Sequence, residues 1–117
     1  MGPAPLSAER RNGPMLFVSG QVRIDPVSGA LAGADITSQT WQVLENMKSL
    51  VEAGGLSMAD VMKVGIFPVN GDDFAAMNAV YAEYFDAPFS ARATVGIRLN
   101  DPRLLVEMDA IAMERQA

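Results

Sequence analysis

Phe89-Ser90-Ala91-Arg92-Ala93-Thr94-Val95-Gly96-Ile97-Arg98-Leu99 runs through a turn into Leu104-Leu105-Val106-Glu107-Met108-Asp109-Ala110-Ile111. Both halves alternate, and residues two apart on a strand share a face. Ala91, Ala93, Val95, Ile97 and Leu99 form one set, with Arg92, Thr94, Gly96 and Arg98 opposite. Leu104, Val106, Met108, Ala110 and Ala112 form another, with Leu105, Glu107, Asp109 and Ile111 opposite. The pattern predicts two strands joined as a hairpin around Asn100-Asp101-Pro102. Thr94 then lies opposite Glu107, and Arg92 opposite Asp109. A one-residue slip would set charges against the partner's apolar face. The expectation is one polar cluster of Arg92, Thr94, Glu107 and Asp109.

Upstream, residues 1–13 are rich in Pro, Ser and Arg and are expected to be extended. Met15 to Ser19 is an apolar run that Gly20 interrupts, and Gln21 to Ile24 alternates. Asp25-Pro26-Val27-Ser28-Gly29 is a turn signal, and Ala30 to Gly33 is read as a short returning strand. Asp35 is placed to cap a helix over 36–53, whose residues Ile36, Val43, Leu44, Met47, Leu50 and Val51 follow the 3.6 period. Gly54-Gly55 ends it. Ser57 with Asp60 resembles a capping box. Val61 to Val69 reads as a strand and Asn70-Gly71-Asp72 as a turn. A second helix is expected over about 73–85, with Phe74, Met77, Val80, Tyr81 and Tyr84 on one side. The order β-β-α-β-α-β-β, in one domain spanning 1–117, predicts an α+β two-layer sandwich with both helices on one face of the sheet.

The other face has no helix left to cover it. Half of the 117 residues are hydrophobic, an excess for a small domain, which points to burial against other subunits. The net charge is −5 with no Lys/Arg cluster, which disfavours nucleic-acid binding through phosphates. There is no Cys and no His, so thiol nucleophiles, His bases and the usual Zn, Cu and Fe sites are excluded. No metal and no cofactor is expected. No apolar run approaches the ~18 residues of a membrane span, and no signal peptide is evident. A cytoplasmic location is therefore expected.

Two readings of the polar cluster stand side by side. Arg92 can pair with Asp109 or Glu107 as a cross-strand ion pair. Alternatively, its guanidinium can grip a ligand carboxylate with two parallel hydrogen bonds, while a carboxylate beside it orients or deprotonates water. Trp41 is expected to pack at an edge or an interface. Without further information, Ser19-Gly20 reads as a bulge or a strand end and Asn78 as a helix-surface or turn-bonding residue.

Ser90-Ala91-Arg92-Ala93-Thr94-Val95, with Glu107-Met108 fifteen residues after the arginine, resembles the C-terminal signature of the Rid family of reactive intermediate deaminases, also called YjgF-type or endoribonuclease L-PSP proteins. Pro5-Leu6-Ser7, Phe17-Val18-Ser19-Gly20-Gln21, Asp25-Pro26 with Gly29, Asn46, Ala53-Gly54, and Asp73-Phe74 with Asn78 and Tyr81 match the family in order. The resemblance implies a chorismate-mutase-like fold and a homotrimer whose sheets form a central barrel, with clefts between subunits. It implies that Arg92 binds a substrate carboxylate and Glu107 positions the attacking water. Thr94 would contact the substrate through its backbone, and Ser19, Gly20, Asn78 and Leu6 would line or support the cleft. The implied reaction is hydrolysis of enamine or imine acids, such as those derived from 2-aminoacrylate, to 2-keto acids and ammonia. Leu6 stands where the family's deaminases carry a Tyr, Thr94 where Cys is common, and Ser90 where Pro is usual. A trimer that binds small carboxylates without turning them over is the competing reading. Ribonuclease activity fits poorly with the charge and the lack of His.

Overall fold

The computed structural model describes residues 5–24, 28–31 and 33–115. The strands are β1 (Glu9–Asn12), β2 (Met15–Gln21), β3 (Val61–Pro68), β4 (Ala91–Thr94) and β5 (Val106–Met113); the helices are α1 (Ile36–Ala53) and α2 (Phe74–Tyr81). They follow in the order β-β-α-β-α-β-β, and the five strands form one mixed sheet ordered β1-β2-β5-β3-β4.

Local chemistry sets the elements. The Asp35 carboxylate accepts from Ser38 N–H at 2.7 Å and caps α1, satisfying a donor that the helix cannot. At the other end Gly55 takes φ +82°. There Gly55 N–H reaches Glu52 O and Leu56 N–H reaches Val51 O, at 2.9 and 3.1 Å, which closes the helix as a left-handed cap does. Arg11 of β1 donates to Gly54 O and pairs with Glu114 at 2.8 Å, tying the edge strand to the end of α1. Val43, Leu44, Met47 and Val51 of α1 are fully buried against Leu16, Val64, Ile66, Val106 and Met108 of the sheet. Burial of each such side chain contributes about 1.5–3 kcal/mol before entropy is counted. Two polar α1 residues hold loops instead. Gln39 bonds Arg103 O at 3.0 Å and Leu105 N–H at 2.8 Å. Asn46 donates to Val22 O and Ile24 O at 2.9 and 2.8 Å.

The predicted hairpin does not form. β4 pairs in parallel with β3, and β5 pairs with β3 from the other side, so a whole strand separates them. Val64 faces Arg92 on one side and Ala110 on the other; Ile66 faces Thr94 and Met108. Paired residues share a face, so Arg92 and Thr94 lie on the helix-covered face with the core. Glu107 and Asp109 lie on the open face, paired with Phe67 and Gly65. The alternation holds for β5 and for Ala91–Thr94, whereas residues 95–99, read as the rest of the first strand, lie beyond the end of β4. Pairing the two strands directly was the error, because the segment between them is long enough to step over β3.

Other boundaries shift as well. Glu9–Asn12, expected only to be extended, is a paired edge strand that turns through Gly13 at φ +58° into β2. The expected returning strand reduces to one bridge, Ile24 to Leu31. Asp25, Pro26 and Val27 of the predicted turn lie outside the described residues, as do Met1 to Ala4. α2 ends at Tyr81, where the N–H groups of Glu83 and Tyr84 switch to carbonyls three residues back.

Candidate active site

The structure sorts the sequence-derived candidates into two groups on opposite faces of the sheet. The first group lies where α2 crosses β4. Phe74, Asn78 and Tyr81 are spaced four and three residues apart on α2 and so share one side of it. Arg92 projects from β4 over two of these rings, its guanidinium carbon 5.6 Å from the Phe74 centroid and 5.0 Å from the Tyr81 centroid. That is cation–π distance. Arg92 is otherwise exposed, and its side chain has no hydrogen bond or ion pair among the described residues. The predicted ion pair with Asp109 or Glu107 is therefore absent, because those carboxylates are on the far face.

Around this cation are polar atoms without partners. Asn78 Oδ1, Tyr81 Oη and Ser90 Oγ are buried, and none meets hydrogen-bond geometry among the described residues. Burial pushes the Tyr81 hydroxyl above its ordinary range, while nearby Ser90 and the Arg92 charge partly oppose it. Thr94 continues the same face of β4 and is half-buried. A guanidinium braced by aromatic rings, with its donors free, suits a planar anion such as a carboxylate.

The second group lies on the open face. The ladder between β2 and β5 shifts register between Val18 and Gln21, so Ser19-Gly20 forms a bulge, one of the two readings its sequence offered. Ser19 is held by two bonds to the N-terminal segment, its N–H to Ala8 O at 2.9 Å and its hydroxyl to Ser7 O. Glu107 reaches across to the bulge. A Cβ placed on Gly20 would fall 2.5 Å from Glu107 Oε2 and 2.8 Å from its Cδ. The glycine is thus a notch that the carboxylate occupies. Glu107 has no hydrogen bond or ion pair among the described residues, and burial, followed by the charge of Asp109, pushes its carboxyl above the ordinary range. Leu6 is 72 % exposed and shares a shallow recess with Arg10, Phe17 and Ser19.

Of the named candidates, the fold brings Arg92, Asn78 and Thr94 together, and separately Ser19, Gly20 and Glu107, with Leu6 beside Ser19. Phe74, Tyr81 and Ser90 were not singled out as site residues. Their signal was the 74, 78, 81 spacing, which placed both aromatics beside Asn78 but was read only as a core stripe. Trp41 packs on Tyr84, in the turn that follows α2, with centroids 5.2 Å apart. Among the described residues no group of His, Cys, Asp or Glu could hold a metal ion, and no helix is long and apolar enough to cross a membrane.

Residues 3–114 match the family model described as endoribonuclease L-PSP. A RutC family protein of Pyrococcus horikoshii is 44% identical over 108 residues, 92% of this chain and 86% of that protein. The 2-iminobutanoate/2-iminopropanoate deaminase of Salmonella typhimurium is 40% identical over 106 residues, 88% of this chain and 82% of the enzyme. Among solved structures, E. coli TdcF with bound serine superposes with a TM-score of 0.90 at 35% identity, covering 97% of this chain and 91% of TdcF.

Proposed function

We propose, because this chain belongs to the Rid family (the YjgF, RutC or endoribonuclease L-PSP proteins), that it is a deaminase. Its substrates are 2-imino acids, formed from enamines such as 2-aminoacrylate, which it hydrolyses to 2-keto acids and ammonia. Relatives carrying the name 2-iminobutanoate/2-iminopropanoate deaminase at 37–40% identity support the reaction class.

The observation that carries the reading is the division of the site. Arg92 lies free over the rings of α2 on one face of the sheet, and Glu107 sits in the Gly20 notch on the other. One protomer cannot bring both to one small substrate. Two protomers can, and the open face supplies the surface for joining them. It carries exposed Phe17 and Val95 with half-buried Phe67 and Ile111, apolar area of the kind that marks an interface. A homotrimer closing through these faces puts Arg92 of one copy against Glu107 of the next.

In that cleft the Arg92 fork binds the substrate carboxylate. Asn78 and the Thr94 backbone supply hydrogen bonds from the same side. From the other side Glu107 holds a water against the imine carbon, supported by Ser19. As the water oxygen bonds to carbon, its proton passes to Glu107 and the C=N electron pair moves to nitrogen. Glu107 returns that proton to nitrogen, giving a carbinolamine; it then takes the hydroxyl proton and passes it to nitrogen as the C–N bond breaks and the C=O bond forms, so that ammonia leaves a 2-keto acid. A carboxylate raised toward the working pH serves such a shuttle better than an ordinary one. These steps require only side chains that this chain carries.

The test is ammonia release from freshly generated 2-aminoacrylate. The wild type releases ammonia faster than the spontaneous reaction, and Arg92→Ala and Glu107→Gln do not. An unchanged rate in Arg92→Ala refutes the assignment. Leu6, exposed and without a hydroxyl, favours a second reading in which the trimer binds small carboxylates only. That reading predicts pyruvate binding lost in Arg92→Ala, with no turnover of any imine.

A further inference from the structure

Glu107 has a neighbour that the reaction above does not use. Asp109 follows two residues later on β5 and so lies on the same open face, with Cα atoms about 7 Å apart. Its position is fixed in the same way. A Cβ on Gly65 would fall 2.3 Å from Asp109 Oδ1, so Asp109 fills a notch over Gly65 as Glu107 fills one over Gly20. Gly65 N–H also donates to Asp109 Oδ1 at 3.1 Å. That bond to a backbone donor holds the side chain in place. The chain thus seats two carboxylates side by side, one pinned and one free of partners.

The geometry points to Asp109 as a positioning residue for Glu107: pinned over Gly65, it keeps a fixed negative charge beside the water-activating carboxylate and so favours its proton-holding state. The inference rests on the role given to Glu107 above. It is consistent with the direction in which Asp109 pushes the Glu107 carboxyl. The other charged groups on this face are farther away. Lys63 and Arg10 belong to the row of Ile111 and Phe17, on the far side of Asp109 from Glu107. On β2 it is Gly20 that receives Glu107, and on β3 Phe67 pairs with Glu107 and Gly65 with Asp109. Asp109 is therefore the one ionisable group on these strands adjacent to it.

The experiment compares wild type, Asp109→Asn and Asp109→Glu by two readouts. Asn keeps an oxygen for Gly65 N–H and loses only the charge. In the pH profile of kcat/KM for imine hydrolysis, the acid limb of Asp109→Asn moves to lower pH. Below the wild-type midpoint it then retains about threefold more of its plateau, while Asp109→Glu moves back toward wild type. The second readout is the 13C chemical shift of the Glu107 carboxyl against pH, assigned with Glu107→Gln, which needs no turnover. Its midpoint falls in Asp109→Asn. If that midpoint stays where it is in the wild type, the inference is overturned, whatever the activity. If it falls while the wild type hydrolyses no imine, the inference stands and the catalytic reading fails.

Discussion

Gly20→Ala tests the notch. The new Cβ would lie 2.5 Å from Glu107 Oε2, where ordinary contact begins at 3.4 Å, a shortfall of 0.9 Å. Gly20 has an unremarkable φ, so the conflict is one of space and not of backbone strain. The other atoms it meets, Glu107 Cδ and Cγ, belong to the same side chain. Glu107 is half-buried at the end of a flexible stem, so it gives way before the bulge does. Turning it off its rotamer costs about 0.5–1.5 kcal/mol, and thermal stability falls by no more than that. The carboxylate, however, moves by about 1 Å, and a misplacement of that size at a reacting centre costs about 100-fold in rate. The assay is kcat/KM for imine hydrolysis, with melting temperature and oligomeric state alongside. A folded Gly20→Ala protein with kcat/KM within about twofold of wild type would refute the placement of Glu107 in the chemistry.

Gly54→Ala makes a contrasting case. Its Cβ would lie 2.7 Å from Leu16 Cδ2, and Leu16 is 1% exposed, with nowhere to go. The substitution costs about 1–3 kcal/mol, visible in chemical denaturation. Arg92→Lys keeps the charge and loses the fork, so KM for the imine rises about tenfold or more while folding is unchanged. Stability against pH follows from Glu107. Its carboxyl is raised in the folded chain, so its contribution is complete below the ordinary carboxylate range and is lost as pH rises through the raised value. Glu107→Gln cannot ionise; it melts higher than wild type near pH 8, and the gap closes toward about pH 4. Asp35 has the opposite sign, its carboxyl being lowered first by the Ser38 N–H. Its cap contribution is full above the ordinary carboxylate range and fades as pH falls through the lowered value, a loss absent in Asp35→Ala.

The sequence made the local elements legible where one chemistry dominates. α1 begins and ends at the residues that its cap, its 3.6 period and Gly54-Gly55 dictate. The Ser19-Gly20 bulge and the Ser57–Asp60 cap are likewise local, the latter with Ser57 N–H on Asp60 at 2.9 Å. Strand pairing was not legible. The faces of β4 and β5 follow from alternation, but alternation does not say which strand lies beside which, and two neighbours in sequence were taken for neighbours in space. That error placed Arg92 and Glu107 together in one protomer. The edge strand β1 was hidden because Glu9-Arg10-Arg11-Asn12 has no apolar face; charged residues suit an edge and leave no pattern. Family resemblance named the candidate residues, and the structure supplied what neither alternation nor motif contains, the separation of those residues onto two faces.

That separation is the central claim, and mixing subunits tests it most directly. Arg92→Ala and Glu107→Gln proteins, each inactive, are unfolded together in equal amounts and refolded. If every site joins Arg92 of one copy to Glu107 of the next, random trimers restore about one quarter of wild-type activity, because only a neighbouring pair with the right residue on each side works. Each protein refolded alone stays inactive. If the mixture also stays inactive while forming mixed trimers, the two residues act within one chain and the account is contradicted.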